Sequence, residues 1–281
     1  MDNTKIEWAD ATWSPIMGCT PVSSGCKNCY ARRMMCRYKS RKGWPESPGM
    51  VTLFPERLQQ PFNWKKPRRI FVCSMGDLFH DDVSFEYIAA VFGAMAANPQ
   101  HTFLVLTKRW QKMARFFRIS ASFKWTAAVE WADSLLSHET QIHPDGSGPI
   151  HCKWGPNPSA PWPLPNVHLG VSVENQETAD ERIPALLRTP AAKRFVSYEP
   201  ALGPVDMQYA AFNGADSLTS MEGINQIICG AETGPGARTM DLDWARSVRD
   251  QCAAADVPFF FKRDSDGNRE LDGIMHEGMI K

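Results

Sequence analysis

The sequence predicts a parallel β/α architecture that wraps into a closed or partial barrel. Three observations predict it. Short apolar runs recur along the 281 residues, apolar on both faces and alternating with helical stretches, as parallel strands do. Six or seven such units occur, which suits one barrel better than two unrelated domains. Polar residues recur just after the runs, where the βα loops of a parallel barrel converge.

The first unit is a short strand near Ala11 to Ile16, a cysteine-bearing loop, and a helix beginning near Cys26. Ile70 to Met75 is the next strand. A helix over Phe85 to Ala97 follows, with Asp81, Asp82 or Ser84 near its cap. Thr102 to Thr107 precedes a helix from about Trp110 to Arg118. Val167 to Val173 precedes one from Glu177 to Arg188. Arg194 to Tyr198 and Gln226 to Gly230 are further strands, the second with its helix from about Asp243 to Ala255. Val257 to Lys262 is the last strand. One domain over 1–281 is expected.

Residues of about 119–165 break this rhythm and form a variable insertion. Within it, Ala121 to Leu136 carries an apolar stripe of Trp125, Trp131, Leu135 and Leu136, as a helix would. His138 to Pro165 is rich in Pro, Gly, His and Trp and is expected to be a long loop. Its His138, His143, His151 and Cys152 match no defensible metal spacing. A second loop is expected over Ala210 to Ser220. Asp264 to Lys281 is expected as a tail packed across the barrel mouth or left loose.

Lys+Arg and Asp+Glu balance at 31 each, so the whole chain gives no electrostatic argument for nucleic acid or an anionic membrane. The balance hides a local run: Lys27, Arg32, Arg33, Arg37, Lys39, Arg41 and Lys42 occur with no acid among them. A solvated helix face is one reading; a basic rim that meets phosphates is the other, and duplex binding would then weaken steeply with salt. No stretch reaches the length of a membrane-spanning helix, and the first residues lack a secretion signal. A cytoplasmic protein without membrane association is expected. Eight cysteines, three of them clustered, suit a cytosolic metal or redox site better than a disulfide framework. Cys73 and Cys229 lie in apolar runs and are expected to be small buried hydrophobes.

The clustered thiols are Cys19, Cys26 and Cys29, in the spacing C-x6-C-x2-C. Three readings stand. They hold a 4Fe-4S cluster whose fourth iron stays open to S-adenosylmethionine. They hold structural zinc with a distant fourth ligand, Cys36 being one turn too far along. Or they are free thiols, against which stand Gly18 and Gly25, each preceding a cysteine in a loop able to bring the thiols together.

The run Thr12 to Ala31, with its three cysteines, resembles the motif of a phage- and prophage-associated family of unknown function, radical-SAM-like and distantly similar to spore photoproduct lyase. Further matches are Ser74-Met-Gly-Asp-Leu-Phe-His80, Leu106-Thr-Lys-Arg109, Leu169 to Asn175, Glu199 to Pro204, Gly230 to Arg238 and Pro258 to Lys262. The resemblance implies a partial or modified TIM-like barrel, a 4Fe-4S cluster and S-adenosylmethionine on Cys19, Cys26 and Cys29, and a radical S-adenosylmethionine enzyme. It points to a nucleobase or nucleotide as substrate, in DNA modification or repair, and to a separate three-Cys-motif partner protein. Two departures from the radical-SAM pattern are the six-residue first gap and Asn28 in place of an aromatic before the last cysteine, with Tyr30 following instead.

Asp77 occupies the place of the radical-SAM segment that meets the cofactor's amino group; a helix N-cap is its other reading. Glu174 and Glu199 end two later strands and are candidates for the cofactor's ribose hydroxyls or for substrate. Glu232 opens a Gly-rich turn, Glu-Thr-Gly-Pro-Gly-Ala-Arg238, that lacks the ending of a P-loop. Lys108, Arg109, Arg238 and Lys262 are candidates for a substrate phosphate or carboxylate, or else solvated loop charges. The competing class is a zinc-stabilised binding or regulatory protein without catalysis.

Overall fold

The computed structural model describes residue 4 and residues 6–120, 163–212 and 221–280. The expected helix over Ala121 to Leu136, the His138 to Pro165 loop up to residue 162 with its histidines, and residues 213–220 of the second loop lie outside the described residues, so the insertion stands as a sequence expectation.

In chain order the elements are β1 (Ala11–Trp13), β2 (Ile16–Met17), α1 (Tyr30–Tyr38), β3 (Thr52–Leu53), β4 (Arg69–Val72), α2 (Phe85–Ala96), β5 (Thr102–Thr107), α3 (Trp110–Ser120), β6 (Val167–Val173), α4 (Gln176–Arg188), β7 (Lys193–Tyr198), α5 (Met207–Phe212), β8 (Gln226–Gly230), α6 (Leu242–Ala254), β9 (Phe259–Arg263), β10 (Glu270–Leu271) and β11 (Ile274–Met275). Seven strands form one parallel sheet in the order β1-β4-β5-β6-β7-β8-β9, curled into a half-barrel and flanked by helices. It is a partial barrel: β1 and β9 are its edges and do not pair.

The strands form where the sequence is apolar on successive residues. Val167–Val173 is buried at all seven positions, as a central parallel strand requires. Residues two apart share a face of a strand. One set, including Ile70, Val72, Phe103, Val105, Val171 and Val196, packs under the helices in the main core. The alternate set, Phe71, Leu104, Phe195, Ile228 and Phe260, meets Trp8 in a second cluster on the concave face. Gly170 belongs to that face, and a Cβ there would lie 2.5 Å from the Phe195 ring. The base of the half-barrel is therefore filled with aromatic rings.

The helices start at side-chain caps. Ser84 accepts from Tyr87 N–H at α2, Asn175 from Thr178 N–H at α4, and Asp241 from Asp243 N–H at α6, each satisfying an otherwise orphaned donor. Ser84 is thus the α2 cap among the three residues considered.

Four expectations need correcting. The strand near Ala11 to Ile16 is divided: Ala11–Trp13 stays in the sheet, whereas Ile16–Met17 leaves it and pairs antiparallel with β3. Pro15 lies at the break, and proline cannot continue a ladder. The helix after the cysteine loop starts at Tyr30 rather than near Cys26, where a single 3-10 turn forms instead. The loop expected from Ala210 starts later, since α5 runs to Phe212. The C-terminal tail crosses the end of the half-barrel opposite the cysteine loop, where Met279 Sδ accepts from Gln226 Nε2 at 3.2 Å and lies 3.9 Å from Arg69 Nη2. After a β10–β11 hairpin it lies antiparallel on the free side of β9: Phe261 N–H donates to His276 O at 2.9 Å and Gly278 N–H to Phe259 O at 2.9 Å. No helix among the described residues is long and apolar enough to cross a membrane.

Candidate functional site

The alternation that places aromatic rings at the base of the concave face continues upward into charge. Beyond Leu104 and Leu106 comes Lys108; beyond His168, Gly170 and Ser172 comes Glu174; beyond Phe195 and Ser197 comes Glu199; beyond Ile228 and Gly230 comes Glu232; beyond Phe260 comes Lys262. Lys108 pairs with Glu174 across adjacent strands, and Lys262 with Glu199. The second pair passes over β8, where Gly230 stands; a Cβ there would lie 3.2 Å from Lys262 Cβ and 3.6 Å from Glu199 Cδ.

The cysteine loop, residues 18–29, sits on this charged rim. Gly18 adopts φ +93°, and a Cβ would meet Met50 O at 2.0 Å, so only glycine fits. Ser23 Oγ donates to Glu174 Oε1 at 2.9 Å, and Gly25 lies against the same side chain. Arg109 Nη2 donates to Thr20 O at 2.9 Å and to Thr20 Oγ1 at 2.7 Å, and lies 4.0 Å from Cys19 Sγ. Asn28 Nδ2 donates to Glu232 Oε2 at 2.8 Å and Gly236 O at 2.7 Å. Arg238 Nη2 donates to Ser24 O at 2.9 Å. Tyr30 Oη, at the first residue of α1, donates to Ser74 O at 2.7 Å. One loop therefore touches the C-terminal ends of β4, β5, β6 and β8.

The carboxylates differ in what they hold. Glu174 is fully buried. Burial alone would raise its pKa, but Lys108 and Arg182, with hydrogen bonds from Lys108 and Ser23, outweigh it and hold the pKa below the usual carboxylate range. Glu232 is lowered to about 2, chiefly by hydrogen bonds from Arg238 against a smaller burial effect, with Asn28 adding to it. Asp77 is buried and its oxygens are occupied: Thr107 Oγ1 donates at 2.7 and 3.0 Å, Phe79 N–H at 2.9 Å and Lys108 N–H at 3.1 Å. It forms a turn and ties β4 to the β5 loop; it is not the cap of a helix. Glu199 alone of the three expected cofactor-binding carboxylates keeps a partly exposed side chain, 21% against 0% for Glu174.

The four cations expected to meet a substrate anion are engaged within the chain. Lys108, Lys262 and Arg238 pair with Glu174, Glu199 and Glu232, and Arg109 holds Thr20 with Asp81 3.7 Å away. A cavity of about 310 Å³ opens beside Lys108 and Arg109, lined also by Val22, Lys112, Glu181 and Arg182 among others.

Cys19, Cys26 and Cys29 are half-buried, Cys36 is exposed, and Cys73, Cys229 and Cys252 are buried in the body of the fold. Among the described residues no three or more His, Cys, Asp or Glu side chains gather closely enough to hold a single metal ion. A lone zinc needs its sulfurs about 2.3 Å from one centre; a cubane cluster takes one thiolate per iron, so its sulfurs stand apart. Burial, with the nearby Asp77 and Cys26, pushes the Cys19 thiol up to about 12 against the opposing pull of Arg109. Such a thiol ionises on binding a metal, and Arg109 together with the start of α1 supplies positive potential for the resulting thiolates. Three thiols on one loop beside Arg109 are the ligand number that a cluster with one open iron would take.

Sequence reasoning passed over Thr20, Ser23, Arg182 and His80 as functional residues. His80 Nδ1 accepts from Asp82 N–H at 3.2 Å, so Nε2 carries the proton and donates to Thr20 Oγ1 at 2.8 Å. Thr20 is thus held by His80 and Arg109 together, directly beside Cys19. The signal was the clustering of Thr20, Ser23 and Asn28 among the cysteines in an otherwise small-residue loop.

Among curated proteins and among solved structures, nothing matches this chain. One family model matches residues 3–277, and by it the chain belongs to the family described as Protein of unknown function (DUF5131).

Proposed function

We propose that this chain is an iron–sulfur enzyme of the radical S-adenosylmethionine type, in which Cys19, Cys26 and Cys29 hold a 4Fe-4S cluster with one iron left without a protein ligand. The observation that carries the reading is the placement of three half-buried thiols on one loop, fastened to the C-terminal ends of four parallel strands. That end of a β/α barrel is where loops from several strands converge on a ligand. When bound, the cluster supplies the electron for reductive cleavage of S-adenosylmethionine.

The chain's own residues position and shield. Arg109 and His80 fix Thr20 and so the direction of Cys19. Glu174, held by Lys108 and Arg182, supports Ser23 and Gly25 between Cys19 and Cys26. Asn28 through Glu232, and Arg238 through Ser24 O, hold the loop on both sides of Cys26 against the β8 turn. The Glu199–Lys262 pair, the more accessible of the rim pairs, is assigned to the cofactor's polar groups. The phage context and a separate three-Cys-motif partner belong to the same reading.

The test is anaerobic reconstitution with iron and sulfide, followed by metal and sulfide analysis and, after addition of dithionite and S-adenosylmethionine, assay for 5′-deoxyadenosine. Iron with matching sulfide, lost in each single Cys→Ala variant, and release of the nucleoside are expected. Zinc without sulfide would replace this reading with that of a zinc-stabilised binding or regulatory protein.

A further inference from the structure

The charge balance of the whole chain conceals a segregated surface. From Lys27 to Pro45 there is no acidic residue, and Lys27, Arg32, Arg37, Lys39, Arg41 and Lys42 are all exposed. Lys27 lies in the cysteine loop just before α1, and the others occupy the outer side of α1 and the turn that follows it. Arg33 is excluded from the set, since its guanidinium donates to Thr233 O and Pro235 O. Two of the exposed cations are held in place by aromatic rings: Arg41 lies 4.9 Å and Arg37 5.6 Å from the Tyr38 ring centre, and Tyr38 packs on Trp44 at 4.9 Å. Such contacts restrict long side chains that would otherwise lose entropy on binding.

We infer that this surface binds the phosphodiester backbone of a nucleic acid and lays the strand beside the cysteine loop. Of the apolar residues of α1, Ala31 and Met35 are buried and Met34 is half-buried, while the exposed Tyr30 stands alone at the first turn with its hydroxyl bonded to Ser74 O. The helix therefore offers no apolar face for insertion into a bilayer and no buried anchor of the sort that dominates a protein–protein contact. What remains is a dense array of cations, which gains affinity by counterion release from a regularly charged polymer. Arg32 is three residues beyond Cys29, and the nine residues of α1 span about 14 Å at the usual helical rise. A strand on this surface runs past the loop that carries the thiols. The inference rests on charge placement alone and stands whether or not the cysteines hold a cluster.

The test is fluorescence anisotropy of the full-length chain with a labelled single strand of about 20 nucleotides and with its duplex. About four to six neutralised phosphates give a loss of about fifty- to three-hundredfold in single-strand affinity between about 50 and 200 mM salt. Lys39→Glu/Lys42→Glu should weaken binding about tenfold or more and flatten the salt slope. Lys65→Glu/Lys66→Glu changes the same charge on exposed residues just before β4, at the opposite end of the sheet, and should leave affinity within about twofold. Circular dichroism of each variant confirms that it folds. Equal losses in the two variants, no loss in either, a flat salt response, or tighter binding to phosphatidylserine vesicles or polyglutamate than to the oligonucleotides would each overturn the inference.

Discussion

Gly25 lies against the carboxylate of Glu174: a Cβ at position 25 would stand 2.6 Å from Glu174 Oε1 and 2.6 Å from its Cγ. The carboxylate cannot move aside freely, because Lys108 at the end of β5 and Arg182 on α4 hold it. A residue between two of the thiols is thus seated directly on a buried ion network.

Gly25→Ala should force that seat apart. Overpacking of this kind costs about 1–3 kcal/mol, and the strain falls on the segment between Cys19 and Cys26. A lowered urea midpoint together with reduced iron retention after reconstitution is expected; full retention at unchanged stability would mean the loop is not supported by Glu174.

Glu174→Gln should be more costly. It leaves Lys108 and Arg182 without a counter-charge, and breaking one partner of a buried pair typically costs about 3–5 kcal/mol. Adding Lys108→Met to the same chain should recover part of the loss, because the coupled groups are not additive. Equilibrium unfolding of the two variants at neutral pH reads both effects.

Acid should unfold the chain through the same rim. The carboxylates of Glu232, lowered to about 2, and Glu174, also lowered, are more acidic in the folded chain than the unfolded value of about 4.3. Their stabilisation is fully present above the unfolded value and is lost as pH falls through the folded values. Urea unfolding repeated between about pH 5 and pH 2 should therefore show a falling stability. The Glu232→Gln variant, weaker at neutral pH, should show a shallower fall over that window.

His80 should be neutral at pH 7 with its proton on Nε2. Burial and the adjacent Arg109 lower its pKa, against the opposing pull of Asp82, Asp77 and Asp81. Nitrogen-detected NMR of the imidazole should report the Nε2–H tautomer and a midpoint below the free value of about 6.5. The opposite tautomer would remove the donor to Thr20.

Much of the fold was legible because parallel strands advertise themselves. Val167 to Val173 is apolar enough to be read without its neighbours, and the polar residues placed after each run do gather at one end of the sheet. The division at Pro15 and the docking of residues 276–278 on β9 were not legible, since both depend on which distant backbone is free to pair. The site was read in outline and misread in detail for a related reason. Asp77, Lys108 and Arg238 looked available because sequence shows a charge but not its partner; Thr107 and Glu174 come from other strands, and Glu232 reaches Arg238 only because the Gly-rich turn folds back on itself. Arg182 was invisible as a site residue, lying within a helix yet reaching Glu174 and Ser172 O.

The strand-like path of residues 276–278 gives the sheet a protected margin. Without it, β9 would present a row of unsatisfied amides and carbonyls, a ready template for self-association. A chain shortened to end before His276 should accordingly precipitate or form higher-order species while its thiol-bearing end is untouched, so loss of solubility and loss of chemistry can be engineered apart.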